Sequence, residues 1–252
     1  MSVSPEVVAG TPPRPSPLRR LHALAGVGPL GVFLLLHLGL VHTAVRGRTA
    51  FEGATAGLQS LPLLGLVEAL LVFLPLGFHA GYGLYLLATT RGAPLRHGSP
   101  ADWYAALHRA SGVLALVFLG VHLWHFRIPL GRHTLSPTAL YPALESLLGT
   151  PAVYAGYLLG LSATVFHFAY GLWRAAITWG LVVAPRARRQ SALACALLGL
   201  ALWTLGADTL VHFFARCGGV LPGSARRVTE ACRGADLTRA LPVPARRPQA
   251  PA

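Results

Sequence analysis

The sequence predicts an all-α membrane protein built as a bundle of five transmembrane helices. The mean hydropathy is +0.55 and only 12% of the 252 residues are charged, which is too apolar for an ordinary soluble domain. A transmembrane helix needs roughly 20 mostly apolar residues, and five stretches reach or approach that length with at most one acidic residue each. They are residues 21–45, 53–90, 110–126, 146–173 and 190–207.

The elements follow in order from these stretches. A disordered, Pro-rich basic lead, residues 1–17, is unlike a secretory signal and precedes the transmembrane domain, residues 18–214. An Arg- and Pro-rich tail, residues 215–252, follows the domain. Helices are predicted at about 18–45, 61–90, 103–127, 151–183 and 189–214.

Two connections and one proline add detail to this prediction. The segment RGRTAFEGATAGLQS, residues 46–60, is predicted as a loop, and TALYPALESLL, residues 138–148, is predicted to contain a short helix. Pro75 lies inside the second helix and predicts a kink there, because proline removes a backbone donor and clashes with the preceding turn.

Arginine supplies all 21 basic residues, and the formal net charge is +13. The distribution indicates membrane orientation rather than a nucleic-acid surface: nine arginines lie in the N-terminal segment and the second and fourth connections, but only four in the first and third. Basic loops stay in the cytoplasm, so the N-terminus is expected inside and the C-terminus outside. The tail, with seven arginines, departs from this pattern.

The three cysteines do not define a metal site, and the expected orientation bears on two of them. Cys195 lies in the fifth helix as a small apolar residue. Cys217 and Cys232 lie in the tail, which is expected in an oxidising compartment, so a disulfide between them is predicted. There is no C-x-x-C-H motif for c-type haem attachment and no spacing typical of zinc.

Four histidines lie inside the predicted helices, one on each of helices 1 to 4. They are His37, His79, His122 and His167, spaced by 42, 43 and 45 residues. The second and fourth belong to a repeated octet, F-H-x-x-Y-G-L-aromatic, at residues 78–85 and 166–173. Helix packing explains any one of them, but ionisable groups inside a membrane are rare and usually functional.

The depths of the four histidines predict two pairs. Helices 1 and 3 run outward, and His37 and His122 lie near their outer ends. Helices 2 and 4 run inward, and His79 and His167 lie deeper, towards the inner side. An outer pair, His37 with His122, and an inner pair, His79 with His167, are therefore expected. His125 is the rival of His122 for the third helix.

Two stacked imidazole pairs in a helix bundle indicate two bis-histidine haems. Haem iron takes axial His, Met, Cys or Tyr, methionine is excluded because Met1 is the only one, and zinc takes more ligands per site. Gly83 and Gly171 each follow an inner histidine by one turn, which leaves room for a flat cofactor against the backbone.

Several neighbours are candidates for supporting roles. Arg174 shares the face of His167 and could bind a haem propionate or reach the interface, and His22 and His108 are rival propionate partners. Glu68 is a candidate for quinone proton chemistry. The alternative for Glu68 is a carboxyl that is neutral or paired with an arginine of an outer connection.

Residues 18–191 resemble the diheme cytochrome b subunit of succinate:quinone oxidoreductases, the single-anchor, five-helix type often called cytochrome b558. The similar stretches are LRRLHALAGVGPLGVFLLLH, LPLLGLVEALLVFLPLGFHAGYGLY, RASGVLALVFLGVHLWHFR and AGYLLGLSATVFHFAYGLWRAAITWGLVVAPRARRQS. The fifth helix and the tail match only weakly.

The resemblance implies an anchor in the bacterial inner membrane with two b haems held by those four histidines. It also implies a flavoprotein subunit, an iron–sulfur subunit on the inner face, and a quinone, usually menaquinone, near the outer haem. Such a chain transfers electrons between the iron–sulfur subunit and quinone, while the dicarboxylate site lies on another chain. The alternatives are the diheme anchor of a hydrogenase or formate dehydrogenase, and a membrane transporter without cofactor.

Overall fold

The computed structural model describes residues 16–89, 100–132 and 135–217. These residues form helices and short connections, with no β-strand among them. Five helical stretches are long and apolar enough to cross a membrane, which confirms the predicted all-α bundle. The first to fifth spans are Pro17–Arg46, Leu64–Thr89, Asp102–Gly131, Pro151–Thr178 and Pro185–Arg216.

Ten α-helices are described, and several spans contain more than one of them. They are α1 (Pro17–Val27), α2 (Pro29–His42), α3 (Arg48–Gln59), α4 (Leu64–Glu68), α5 (Leu74–Thr89), α6 (Pro100–His122), α7 (Ile128–Gly131), α8 (Leu140–Leu148), α9 (Pro151–Thr178) and α10 (Pro185–Cys217). The predicted Cys217–Cys232 disulfide and the tail beyond residue 217 lie outside the described residues.

The first span is divided where the sequence analysis predicts one helix. Pro29 has no backbone N–H to donate, so the helix is interrupted at Gly28, whose own N–H donates to the carbonyl of Leu24 at 2.7 Å. Proline suits the first turn of the next helix, where no partner is needed. The two segments, α1 and α2, therefore carry His22 and His37 separately.

Each of the second and third spans contains one π-helical segment directly before an X-Pro step. Ala69–Phe73 precedes Leu74 and Pro75, and Leu123–Arg127 precedes Ile128 and Pro129. A wider turn accommodates a proline that cannot complete the α-helical ladder. Such segments occur frequently at functional sites. These two contact each other through Phe73 and Arg127.

The first connection contradicts one prediction from the sequence, since the segment predicted as a loop forms helix α3. Its Phe51 side chain is 3% exposed and packs on Tyr141 of α8. The predicted short helix of the third connection is α8 itself. An amphipathic helix held by tertiary packing is hard to recognise in twelve residues of which five are alanine or glycine.

Helices α3 and α8 cover one end of the bundle, which we call the cap end; the opposite end, with His22 and His108, is the open end. Tyr141 is 1% exposed, contacts Phe213 of the fifth span, and holds its hydroxyl 3.1 Å from Nε2 of His212. Burial raises the pKa of the Tyr141 phenol, so the hydroxyl keeps its proton near neutral pH.

The fourth span lies at the centre of the bundle. Helix α9 packs against α6 of the third span, α10 of the fifth span and α1 of the first span. Helix α1 also packs against α5. Through the α1–α5, α6–α9 and α1–α9 contacts, the helices that carry His22, His79, His108 and His167 lie next to one another.

Candidate functional site

The structure brings the four intramembrane histidines together as two pairs. The ring centroids of His37 and His122 are 5.7 Å apart, with an angle of 86° between the ring planes. Those of His79 and His167 are 6.0 Å apart at 83°. The first pair lies towards the cap end and the second towards the open end, as their distances along the helices predict.

A second histidine stacks on each member of the His79–His167 pair. The ring of His22 lies on that of His79, with a centroid distance of 4.1 Å and an angle of 4°. The ring of His108 lies on that of His167 at 4.2 Å and 7°. Two parallel stacks therefore meet nearly at right angles. We call these four rings the histidine tetrad.

Main-chain carbonyls define the tautomers of the two inner rings of the tetrad. Nδ1 of His79 donates to the carbonyl of His22 at 3.0 Å, and Nδ1 of His167 donates to that of His108 at the same distance. A carbonyl only accepts, so the proton is on Nδ1 in both rings. Nε2 is then the nitrogen free to bind a metal. A hydrogen bond from the other ring nitrogen, here Nδ1, is typical of metal-binding histidines.

Glycines allow the stacks to form between closely packed helices. A Cβ at Gly26 would lie 2.5 Å from Cε1 of His79, and a Cβ at Gly83 would lie 3.3 Å from Cε1 of His22. Each histidine is four residues before the glycine of its own helix and faces the glycine of its neighbour. Because α1 and α5 run in opposite directions, the two contacts are reciprocal.

The same reciprocal contact recurs between the third and fourth spans. A Cβ at Gly112 would lie 2.7 Å from Cε1 of His167, and a Cβ at Gly171 would lie 3.4 Å from Cε1 of His108. Gly83 and Gly171, predicted to line a cofactor, therefore face the second histidines. Sequence reasoning missed Gly26 and Gly112, although His-x-x-x-Gly occurs four times and could have indicated them.

The cap-end pair has different surroundings. Phe33 stacks on His37 at 5.4 Å, and Phe118 lies 5.8 Å from His122. Nδ1 of His122 is buried with no hydrogen-bond partner in the part of the chain that the structure describes. His125, the rival, is instead 2.9 Å from the hydroxyl of Tyr157 through Nδ1.

These distances fit one metal ion between the two rings of each pair. Metal–imidazole bonds are about 2 Å long, so an ion held between two Nε2 atoms puts the ring centroids roughly 6 Å apart. The observed separations are 5.7 and 6.0 Å. Among the described residues no group of three or more His, Cys, Asp or Glu could hold a metal ion.

The two pairs are close to each other along the bundle. The ring of His167 lies beside Gly112, and His122 follows ten residues later on the same helix. That spacing corresponds to about 15 Å along the helix axis.

Glu68 forms an ion pair that joins the two π-helical segments. Its Oε2 lies 2.5 Å from a terminal guanidinium nitrogen of Arg127, and the two side chains are 23% and 36% exposed. The Arg127 guanidinium also lies 5.8 Å from the ring centroid of Phe73. The Nε atom of Arg127 is buried and has no partner among the residues described. Sequence reasoning did not identify Arg127 as part of a site.

Arg174 lies at the open end, within electrostatic range of the His108 ring. Its side chain is exposed at the open end, three residues beyond Gly171. The main-chain carbonyl of Arg174 accepts a hydrogen bond from the hydroxyl of Thr178, one turn later on the same helix, at 2.8 Å.

Fold and site together define a multi-pass, all-helical membrane protein with paired intramembrane histidines. A succinate dehydrogenase cytochrome b558 subunit from Bacillus subtilis (strain 168) is 35% identical over 195 residues, which are 77% of this chain and 95% of that relative. The chain belongs to the family of succinate dehydrogenase cytochrome b558 subunits. No protein-family model matches it.

Proposed function

We propose that this chain anchors a succinate:quinone oxidoreductase in the membrane and transfers electrons between its iron–sulfur subunit and quinone through two bis-histidine b haems. The observation that carries the proposal is the pair of crossed imidazole contacts, 5.7 and 6.0 Å between centroids. The name of the relative, a succinate dehydrogenase cytochrome b558 subunit, supports this over a hydrogenase or formate dehydrogenase anchor.

The chain's own residues prepare each iron site. His79 and His167 hold one haem, and His37 and His122 hold the other, through their Nε2 atoms. The carbonyls of His22 and His108 fix the inner tautomers and make the imidazoles better electron donors. When bound, the two haems supply one-electron redox centres at successive depths.

The open end is proposed to face the cytoplasm and the cap end the outside of a bacterial inner membrane. Support comes from the basic residues, since Arg19, Arg20, Arg186, Arg188 and Arg189 are exposed near the open end. This end would receive the iron–sulfur subunit, which carries the flavoprotein subunit. The His79–His167 pair lies nearer to this end, so a haem held there would be the redox centre closer to that subunit.

Quinone, menaquinone or another, is proposed to bind near the cap-end pair, beside Glu68 and Arg127. Support comes from the buried Nε–H of Arg127, which lacks an acceptor among the described residues, because a buried donor without a partner is costly. A quinone carbonyl is an acceptor of suitable chemistry. Phe73 offers an apolar ring beside it, and the Glu68 carboxylate can exchange a proton.

The proposal is tested by the haem content of the purified complex. We expect pyridine haemochrome analysis to give two haem b per chain, reduced at least in part by succinate, and a flavin-containing subunit to co-purify. One haem or none would contradict the bis-histidine pairs. Haem without a flavin subunit would favour the anchor of a different oxidoreductase, and a cofactor-free chain would favour a transporter.

Glu68→Gln is expected to slow quinone-linked turnover by roughly a hundredfold, which is the lower range for a lost general acid–base group. It should also flatten the pH dependence of that turnover, while electron transfer from succinate into the inner haem remains. The matched control is Glu145→Gln, which breaks a similar ion pair with Arg216, 2.8 Å long, at the cap end. If Glu68→Gln behaves like this control, Glu68 has a structural role in joining the two π-helical segments.

A further inference from the structure

We propose that His22 and His108 are positioning residues that hold the two inner imidazoles at their crossed orientation. This inference rests on the proposed function, because it assigns the neighbours of the His79–His167 pair. His22 and His108 act by stacking their rings on the inner imidazoles and by accepting hydrogen bonds at their main-chain carbonyls. They do not act as partners of haem propionates.

Each ring of the His79–His167 pair is held at two points by one residue. For His79 these are the carbonyl of His22, 3.0 Å from Nδ1, and the ring of His22, stacked at 4.1 Å and 4°. The hydrogen bond anchors one edge of the imidazole. The parallel stack restricts rotation about the bond between ring and Cβ, because turning the imidazole would drive it into its neighbour.

The backbone of α1 also leaves the His79 ring no room on the side of Gly26. Gly26 approaches the His79 ring so closely that even a Cβ would overlap Cε1, at 2.5 Å. The imidazole therefore lies in a slot formed by the ring of His22 and the backbone of α1. His167 lies in the matching slot formed by His108 and Gly112, with distances of 4.2 Å between centroids and 2.7 Å to a Cβ.

Together, the two slots determine the angle between the ring planes of His79 and His167. Each slot fixes the plane of one inner ring, and the planes of His79 and His167 differ by 83°. The angle between two axial imidazole planes affects the electronic structure of ferric haem. The cap-end pair has a similar angle, 86°, but phenylalanines lie beside its rings instead of histidines. It is thus an internal reference within the same chain.

Histidine occupies positions 22 and 108, where its ring stacks on an inner imidazole. Nδ1 of His22 and Nδ1 of His108 are buried with no hydrogen-bond partner in the described part of the chain. Burying an unpaired polar atom costs free energy, so a hydrogen bond of its own side chain does not explain the stack of His108. The imidazole of His22 also interacts with the main chain of His79. A flat ring fits over Gly83 or Gly171, where a Cβ would already be at 3.3 or 3.4 Å.

The test replaces His22 in the intact complex with alanine, which removes the ring, and with phenylalanine, which keeps a flat one. Low-temperature electron paramagnetic resonance of the ferric haems reports the angle between axial planes, and redox titration reports each midpoint potential. In His22→Ala we expect the largest g value of the inner component to fall, because the freed ring departs from a perpendicular crossing, and its midpoint potential to shift. The outer component stays unchanged.

His22→Phe is expected to retain the wild-type g value of the inner component, and His108→Ala and His108→Phe should repeat the pattern. His42→Ala is the control, because His42 lies in the same span but bonds Thr209, at 3.2 Å, and touches neither pair. If alanine prevents assembly while phenylalanine permits it, the ring is required and the inference holds.

Three outcomes would overturn the inference. Unchanged inner signals in both alanine variants would show that the stack does not orient the ligands. Equal changes in His22→Ala and His22→Phe would show that an imidazole nitrogen is needed, as for a propionate partner, and so would failure of both to assemble. A wild-type complex without two low-spin haem signals would instead contradict the proposed function.

Discussion

His79→Ala and His167→Ala should each lower the haem content of the complex from two per chain to one, and both should remove the same spectral component. The reason is that their rings face each other at 6.0 Å, so either substitution leaves a single axial ligand. Low-temperature optical spectra and a redox titration of each variant provide the measurement. The remaining component should keep its wild-type spectrum.

His37→Ala and His122→Ala should remove the other component, because those rings lie 5.7 Å apart. His125→Ala is expected to retain both, since its Nδ1 is engaged by Tyr157. The pairing is wrong if His37→Ala and His79→Ala remove one common component. The choice within the third span is wrong if His125→Ala, and not His122→Ala, removes the cap-end component.

The sequence was sufficient to predict the pairs because helix geometry is regular. A rise of about 1.5 Å per residue converts distances from the basic loops into depths, and antiparallel neighbours then bring His37 level with His122 and His79 level with His167. The structure places both ring pairs accordingly. Five spans follow from the same regularity, with hydropathy as the signal.

The tetrad could not be predicted because it depends on contacts between helices. His22 and His79 are 57 residues apart, and the stack requires α1 and α5 to meet at one register, with each glycine opposite the other helix's histidine. Helix depth alone does not specify which faces meet. Sequence reasoning therefore placed His22 near the inner boundary as a propionate candidate, without its stacking partner.

For a similar reason, the sequence did not specify which arginine pairs with Glu68. Glu68 directly precedes one π-helical segment and Arg127 is the last residue of the other, and such a segment changes which side of the helix the following residues face. A count of 3.6 residues per turn therefore does not predict which side chains meet. The structure shows this carboxyl paired with an arginine of the third connection, which is the alternative predicted for it.

The glycines of the tetrad lead to the second large effect. Gly26→Ala should displace the ring of His79, because the new Cβ would lie 2.5 Å from Cε1 and 2.9 Å from Nδ1. The imidazole cannot simply retreat, since it is bonded to the carbonyl of His22 and stacked on its ring. Overpacking of this kind costs about 1–3 kcal/mol of stability, and here it also moves an axial ligand.

Gly112→Ala should act in the same way on His167, with the new Cβ 2.7 Å from Cε1 and 3.0 Å from Nδ1. We expect both variants to lose the inner haem or to shift its midpoint potential, and to unfold at a lower temperature. The cap-end haem should remain, because neither glycine approaches His37 or His122.

Two glycines in the same spans supply matched controls. A Cβ added at Gly39 or at Gly120 meets no atom within 4 Å, and alanine favours the helix more than glycine does. Gly39→Ala and Gly120→Ala should therefore keep both haems and be at least as stable as the wild type. If all four variants behave alike, the close approach of the helix backbone to the inner imidazoles has no part in holding them. A loss confined to Gly26→Ala and Gly112→Ala means that the inner histidines depend on a backbone without side chains at those two positions.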